Sequence, residues 1–277
     1  MKTKFLLAVA ALSIAFVGCN REDDPVFNAQ TAKVSAEMDV IADDVSQIAE
    51  EEYKNQEANA GRPDNVTALL PACATVTTTF DDFTQTWTSV IDFGDSNCSL
   101  ANGNSVRGEI TVSGSSNFDQ TSYDVSYTFN NFYHNDRLVQ GTRDVTFTWE
   151  STAAQADQHT VANIDLDLTV TYPNGNEYHR TGHRIRELIA GYGTPFNWID
   201  NTYQVSGQWT TTGPNGSWSS TIGTPLVYNV QCGYIASGTL EFTTDSNNAL
   251  LDYGDGLCDW FATLTINGGN ETTITLN

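Results

Sequence analysis

Ala162-Asn163-Ile164-Asp165-Leu166-Asp167-Leu168-Thr169-Val170-Thr171-Tyr172 alternates apolar and polar side chains without a break. Successive residues of a strand point to opposite faces, so Ile164, Leu166, Leu168, Val170 and Tyr172 share one face and Asn163, Asp165, Asp167 and Thr169 the other. This is the pattern of a half-buried antiparallel strand. The chain beyond Pro71 reads the same way: Thr, Val, Tyr, Phe and Trp alternate between Asn-Gly, Gly-Pro and Asp-Gly turns, and no second helix of useful length interrupts them. The expectation is a mostly β fold, with a large antiparallel sheet or sandwich-like domain of two related halves over 73–277 and one amphipathic α-helix before it.

Turn chemistry sets provisional registers. A two-residue hairpin turn at Asn174-Gly175 would put Asp165 opposite Arg184, Asn163 opposite Arg186 and Ile164 opposite Ile185. Arg180, Arg184 and Arg186 would then share the polar face, where they could bind a carboxylate or sulfated ligand, although pairing with Asp165 accounts for part of the cluster. His179 and His183 would lie opposite Val170 and Leu166 as partly buried neutral histidines. Four residues of strand span about 13 Å, too far for the two to share one metal ion. In Tyr123-Asp124-Val125-Ser126-Tyr127-Thr128-Phe129 the aromatic phase breaks after Asn130-Asn131, which predicts a bulge. With a turn at Asn135-Asp136, that bulge would set Val125 against Phe147 and Tyr127 against Val145. Trp209 and Trp218 flank Gly213-Pro214-Asn215-Gly216 and share a face with Val205 and Ile222, as core residues do. Trp198, in the irregular Gly193 to Asn197 neighbourhood, is the better candidate for an exposed ligand-stacking surface.

Upstream, Val34, Met38, Ile41, Val45 and Ile48 recur at steps of four and three, which predicts a helix over 30–60 with a narrow apolar stripe and an acidic opposite face. Such a helix needs a docking surface, and the β-domain is the expected one. Gly61-Arg62-Pro63-Asp64-Asn65 breaks it and begins a linker over 61–72.

The first residues, MKTKFLLAVAALSIAFVGC, give two lysines, an apolar run from Phe5 to Val17, then Gly18 and Cys19. The run is too short to span a bilayer, which takes roughly 20 residues, and 1–18 read as a signal peptide. Phe16-Val17-Gly18-Cys19 resembles the lipobox of bacterial lipoproteins, in which the cysteine is acylated and becomes the new N-terminus. An acidic tether, 19–29, follows. Its Asn20-Arg21-Glu22-Asp23-Asp24 resembles the signal that sends Bacteroidota lipoproteins to the outer face of the outer membrane. The lipid on Cys19 is the expected membrane anchor.

The formal net charge is −22. Loss of Lys2 and Lys4 with the signal leaves ten basic against 34 acidic residues. That field repels nucleic acid and anionic headgroups, so no nucleic-acid partner is expected.

Besides Cys19 there are Cys73, Cys98, Cys232 and Cys258, an even set that reads as two disulfides outside the cytoplasm. The short Cys-x-x-Cys pairs of a four-cysteine metal site are absent. An internal echo selects the pairing: Val90-Ile91-Asp92-Phe93-Gly94-Asp95-Ser96-Asn97-Cys98 matches Leu250-Leu251-Asp252-Tyr253-Gly254-Asp255-Gly256-Leu257-Cys258, each with a cysteine about 25 residues upstream. This favours Cys73–Cys98 and Cys232–Cys258. The module, with the Gly141-Thr142-Arg143 and Gly191-Tyr192-Gly193-Thr194 stretches between its copies, resembles a family of uncharacterised Bacteroidota outer-membrane lipoproteins. The resemblance implies location and architecture and carries no activity.

Asp252, Asp255 and Asp259 cluster around Gly254 and Gly256, and such oxygen-rich turns can hold calcium, but a tight strand-to-strand turn explains them more simply. No Gly-x-Ser-x-Gly, His-Glu-x-x-His or phosphate-binding loop occurs. The expectation is a lipid-anchored surface protein without cofactor, a non-catalytic binding or structural component with an outer-membrane protein or a glycan as partner. A glycan-acting hydrolase is the alternative.

Overall fold

The computed structural model describes residues 27–61, 70–118, 121–192, 194 and 198–276, with backbone alone for 60, 61 and 198. The helix α1 runs from Ala29 to Gly61. Asn28 caps it, its Oδ1 accepting from Thr31 N at 3.0 Å. The strands follow as β1 (Thr75–Asp81), β2 (Thr86–Asp92), β3 (Cys98–Ser99), β4 (Ser105–Ser115), β5 (Ser122–His134), β6 (Arg137–Glu150), β7 (His159–Thr171) and β8 (Glu177–Ala190). A 3-10 turn, Trp198–Asp200, precedes β9 (Thr202–Gly213), β10 (Gly216–Ile222), β11 (Leu226–Asn229), β12 (Ile235–Thr243), β13 (Asn248–Asp255), β14 (Phe261–Ile266) and β15 (Glu271–Thr275).

These strands form one 15-stranded antiparallel sheet that follows chain order nearly throughout. The two departures are interrupted strands. β4 pairs with β2 along most of its length and with β3 at its start. β10 and β11 likewise share the space between β9 and β12.

The sheet curls around the helix. Side chains of β1, β2, β5, β6, β8, β9, β11 and β13 reach α1 through Thr78, Ser89, Tyr127, Arg143, Arg186, Tyr203, Tyr228 and Tyr253. The β3–β4 connection meets β11 over it, with Asn102 Nδ2 donating to Tyr228 OH at 3.1 Å. The apolar stripe is buried as expected, from Val34 and Met38 through Ile48, and Tyr53 stacks on Tyr123 at 3.7 Å. The acidic face is buried too: Asp39, Asp43, Asp44, Glu50, Glu51 and Glu52 all lie inside. The helix is therefore enclosed rather than laid on a surface by one stripe.

Curvature is built at glycines where adjoining strands come too close for a Cβ. At Gly108 (φ 85°) a Cβ would lie 2.0 Å from Asn131 O, and at Gly207 (φ 137°) 2.3 Å from His183 O.

Two registers differ from expectation. The β7–β8 loop has three residues, Pro173-Asn174-Gly175, because Tyr172 N donates to Asn176 O at 2.8 Å and Gly175 N to Tyr172 O at 2.9 Å. One extra loop residue slips the pairing by one: Ile164 faces Arg184, Asn163 faces Ile185 and Asp165 faces His183. The bulge in β5 is present, with pairing shifted between Thr128 and Phe132 and Asn131 at φ 45°. The extra residue belongs to β5, so the shift runs opposite to the expected direction. Val125 faces Val145, Tyr127 faces Arg143 and Tyr123 faces Phe147.

Candidate functional site

The slipped register turns Arg180, Arg184 and Arg186 to the inner face, where all three are buried together with Arg143. The expectation that they share the outer polar face is corrected, since their guanidinium groups meet the helix. Arg180 Nη1 donates to Asp39 Oδ1 at 2.6 Å. Arg184 Nη2 reaches Asp43 at 3.4 Å, and Arg186 donates to Glu50 at 2.9 Å and Gln47 at 3.0 Å. Arg143 Nη1 donates to Ala42 O, Ser46 Oγ and Tyr127 OH instead. Trp209 packs between two of the cations, 4.8 Å from Arg180 and 5.3 Å from Arg184.

Burial dominates the electrostatics of this interior. It holds Asp43 above the ordinary carboxylate range despite Arg184 and Arg186, and it lowers Arg143 and Arg180. Burial alone would also raise Glu50, but the charges of Lys54 and Arg186 outweigh it and keep that carboxyl low. Tyr203, buried beside Glu50, is pushed up to about 12. Ion pairs of this kind roughly balance Coulomb gain against desolvation, whereas removing one partner leaves an uncompensated buried charge.

The other expected residues fall as follows. Cys73–Cys98 and Cys232–Cys258 are both bonded, and the two copies of the repeat fold alike, Gly94 N and Gly254 N each donating to the aspartate two residues back, at 2.7 and 2.9 Å. Asp252 is occupied by that turn and Asp259 accepts from Phe261 N at 3.0 Å. Among the described residues no three His, Cys, Asp or Glu side chains, Asp255 included, are grouped to hold a metal ion. His179 and His183 are not partly buried core residues: they lie half-exposed on the outer face against Asp167 and Asp165, at 2.8 and 3.0 Å. Trp209 and Trp218 are buried. Cys19, the tether up to residue 26, linker residues 62–69 and the side chain of Trp198 lie outside the described residues.

A cavity of about 250 Å³ opens beside the N-terminal half of the helix, between the β5–β6 turn, the start of β12 and the end of the described chain. Val40, Ile41, Ile235 and Leu276 make its apolar lining. Its charged groups are paired within the wall: Arg137 Nη2 donates to Glu37 Oε1 at 2.6 Å, and Tyr172 OH to Glu37 Oε2 at 2.7 Å. His134 Nε2 lies 2.7 Å from Asp44 Oδ2, a buried carboxylate that also accepts from Asn102, Asn104 and Tyr228. Asn135 Nδ2 donates to Asn104 Oδ1 at 2.8 Å. Tyr234 stands in the same wall, with its ring 6.2 Å from Trp260, which is 6.0 Å from Phe261. Trp260 and Phe261 are 42% and 48% exposed.

None of these cavity residues stood out in the sequence as a binding residue: Ile41 read as part of the helix stripe and Asn135 as part of a turn. His134 carries one usable signal, being in phase with the inward Phe132, but its partners come from elements far apart in the chain.

Comparison of the chain with models of known protein families, with curated proteins and with solved structures gives no match.

Proposed function

We propose that this chain is an outer-membrane lipoprotein, lipid-anchored through Cys19 and facing outward, whose β-domain binds a ligand without catalysis. The observation that carries the binding half is the cavity beside the helix, because it joins an apolar lining to a few fixed polar groups, the usual composition of a ligand site. The sheet is well suited to hold such a site. Its interior is filled by its own helix and its wall groups are fixed by one another, so the cavity keeps its shape without a ligand. Glu37 is the one carboxylate lining the cavity among the described residues, and it is engaged by Arg137 and Tyr172. Glycoside hydrolysis by the usual route needs two carboxyl groups across the scissile bond, so this wall supports binding better than hydrolysis.

The anchor rests on the reading of Phe16-Val17-Gly18-Cys19. Membrane fractionation of the Cys19→Ala variant is its test: the variant should leave the membrane fraction and lose its lipid, and retention of both would refute the anchor. Crosslinking in native outer membranes tests the function. Recovery of one membrane protein in stoichiometric amount would replace the binding reading with that of an assembly subunit.

A further inference from the structure

The cavity and the aromatic side chains beside it point to one class of ligand. At about 250 Å³ it is smaller than the roughly 300–1,000 Å³ of sites that enclose drug-sized molecules, so it admits one small ring. A charged ring is disfavoured on both signs. An anion would enter the field of a chain carrying −22, and a cation would have to compete with Arg137 for Glu37, already held at 2.6 Å. What the wall offers is a set of neutral or internally neutralised planar groups: the Asn104–Asn135 amide pair, the Glu37–Arg137 pair, and Arg137 Nε, a buried donor with no partner among the described residues. Hydroxyl groups both donate and accept, so they suit such a wall better than groups of fixed role. The apolar part of the lining, with Val40, Ile41 and Leu276, suits the C–H face of the same ring.

The second observation lies outside the cavity. Tyr234 belongs to its wall; Trp260 packs edge-on against it at 6.2 Å, and Phe261 lies 6.0 Å further, tilted 47° to Trp260, both half-exposed. Adjacent exposed aromatic side chains at the rim of a cavity make an apolar patch of the kind that marks ligand-binding grooves. The exposed face of Trp260 or of Phe261 can stack on the apolar face of a sugar ring.

We propose that the cavity and the Tyr234-Trp260-Phe261 strip form one site for a neutral glycan, the cavity taking a single hexose-sized residue and the strip the residues joined to it. This deepens the binding role proposed above and rests on it.

The test uses the full lipidated chain in a detergent without a sugar headgroup, with saturation-transfer NMR and calorimetry. Probes are linear pentamers of glucose, mannose, xylose and galactose, with pentagalacturonate as the charged control and cyclohexanol as a ring of similar size with a single hydroxyl. At least one neutral pentamer should bind and pentagalacturonate should not. Trp260→Ala should weaken that binding at least tenfold, Val40→Phe, which fills the cavity, should abolish it, and Trp149→Ala, an exposed tryptophan elsewhere, should leave it unchanged. Binding that survives both Trp260→Ala and Val40→Phe would overturn the site. If no pentamer binds but cyclohexanol does and Val40→Phe removes it, the cavity remains a ligand site and the glycan is wrong. If neither binds, the glycan and the binding role fall together.

Discussion

Arg186 reaches from β8 into the enclosed space and meets Glu50 and Gln47 on the helix, while its guanidinium lies 3.2 Å from the centre of the Tyr203 ring. Arg186→Met would leave Glu50 buried with Lys54 as its remaining cation, and breaking a buried pair in this way costs about 3–5 kcal/mol. A urea titration should show that loss, and adding Glu50→Gln should recover part of it. The pH dependence follows from the sign of the shift. Glu50 titrates below its ordinary value, so its contribution is complete above that value and is lost as pH falls through the lowered one. Arg186→Met should therefore flatten the acid side of the stability profile. Glu51 behaves in the opposite way. Burial pushes it well above the ordinary range, against a hydrogen bond that its carboxylate accepts from Gln47 at 2.8 Å. Its charged form costs stability above the raised value, and the cost fades as pH falls through it. Glu51→Gln should raise stability at pH 8 by about 1–3 kcal/mol and change nothing at pH 3, as measured by denaturation at the two pH values.

At the scale of elements, the β7–β8 hairpin shows what alternation can and cannot say. The run Ile164, Leu166, Leu168, Val170 marks an inward face, and all four residues are buried. Which residues of β8 join that face depends on whether the loop holds two residues or three, and Tyr172-Pro173-Asn174-Gly175-Asn176 permits either. Cross-strand pairing of arginine with aspartate favours the outward register. The helix offers the same arginines three buried carboxylates instead, Asp39, Asp43 and Glu50. The β5 bulge was legible from the aromatic phase, but the direction of the shift depended on which strand held the extra residue. Gly207 is a direct test of the curvature. Gly207→Ala puts a methyl group 2.3 Å from His183 O at a positive φ, costing about 1–3 kcal/mol in backbone strain alone. The thermal midpoint should fall accordingly, and Arg184 should lose part of its seating on Trp209, visible as a change in tryptophan emission.

For the whole molecule, charge and covalent bridging act on different states. The net charge of −22 repels itself across the surface, whereas the helix–arginine pairs are buried and little screened. Raising salt from about 0.05 to 0.5 M, enough to shorten the screening length to a few ångströms, should raise the melting temperature, and a fall would mean that exposed ion pairs dominate. The disulfides close loops of 25 and 26 residues and act mainly on the unfolded chain. Replacing Cys232 and Cys258 by Ser should cost on the order of 3 kcal/mol in chemical denaturation. By itself the sequence determined the strands, the helix, the two bridges and the paired Asp-x-Gly turns, because each rests on local periodicity or on a repeat within the chain. It also supplied the reading of Cys19 on which the proposed anchor depends. Only the tertiary structure decided that the acidic helix lies inside the sheet, that the arginines point inward to meet it, and that Glu37, Arg137, His134 and Tyr234 gather around one cavity. Those outcomes turn on register and closure, and a one-residue slip exchanges the inside and outside of a strand without changing its alternation.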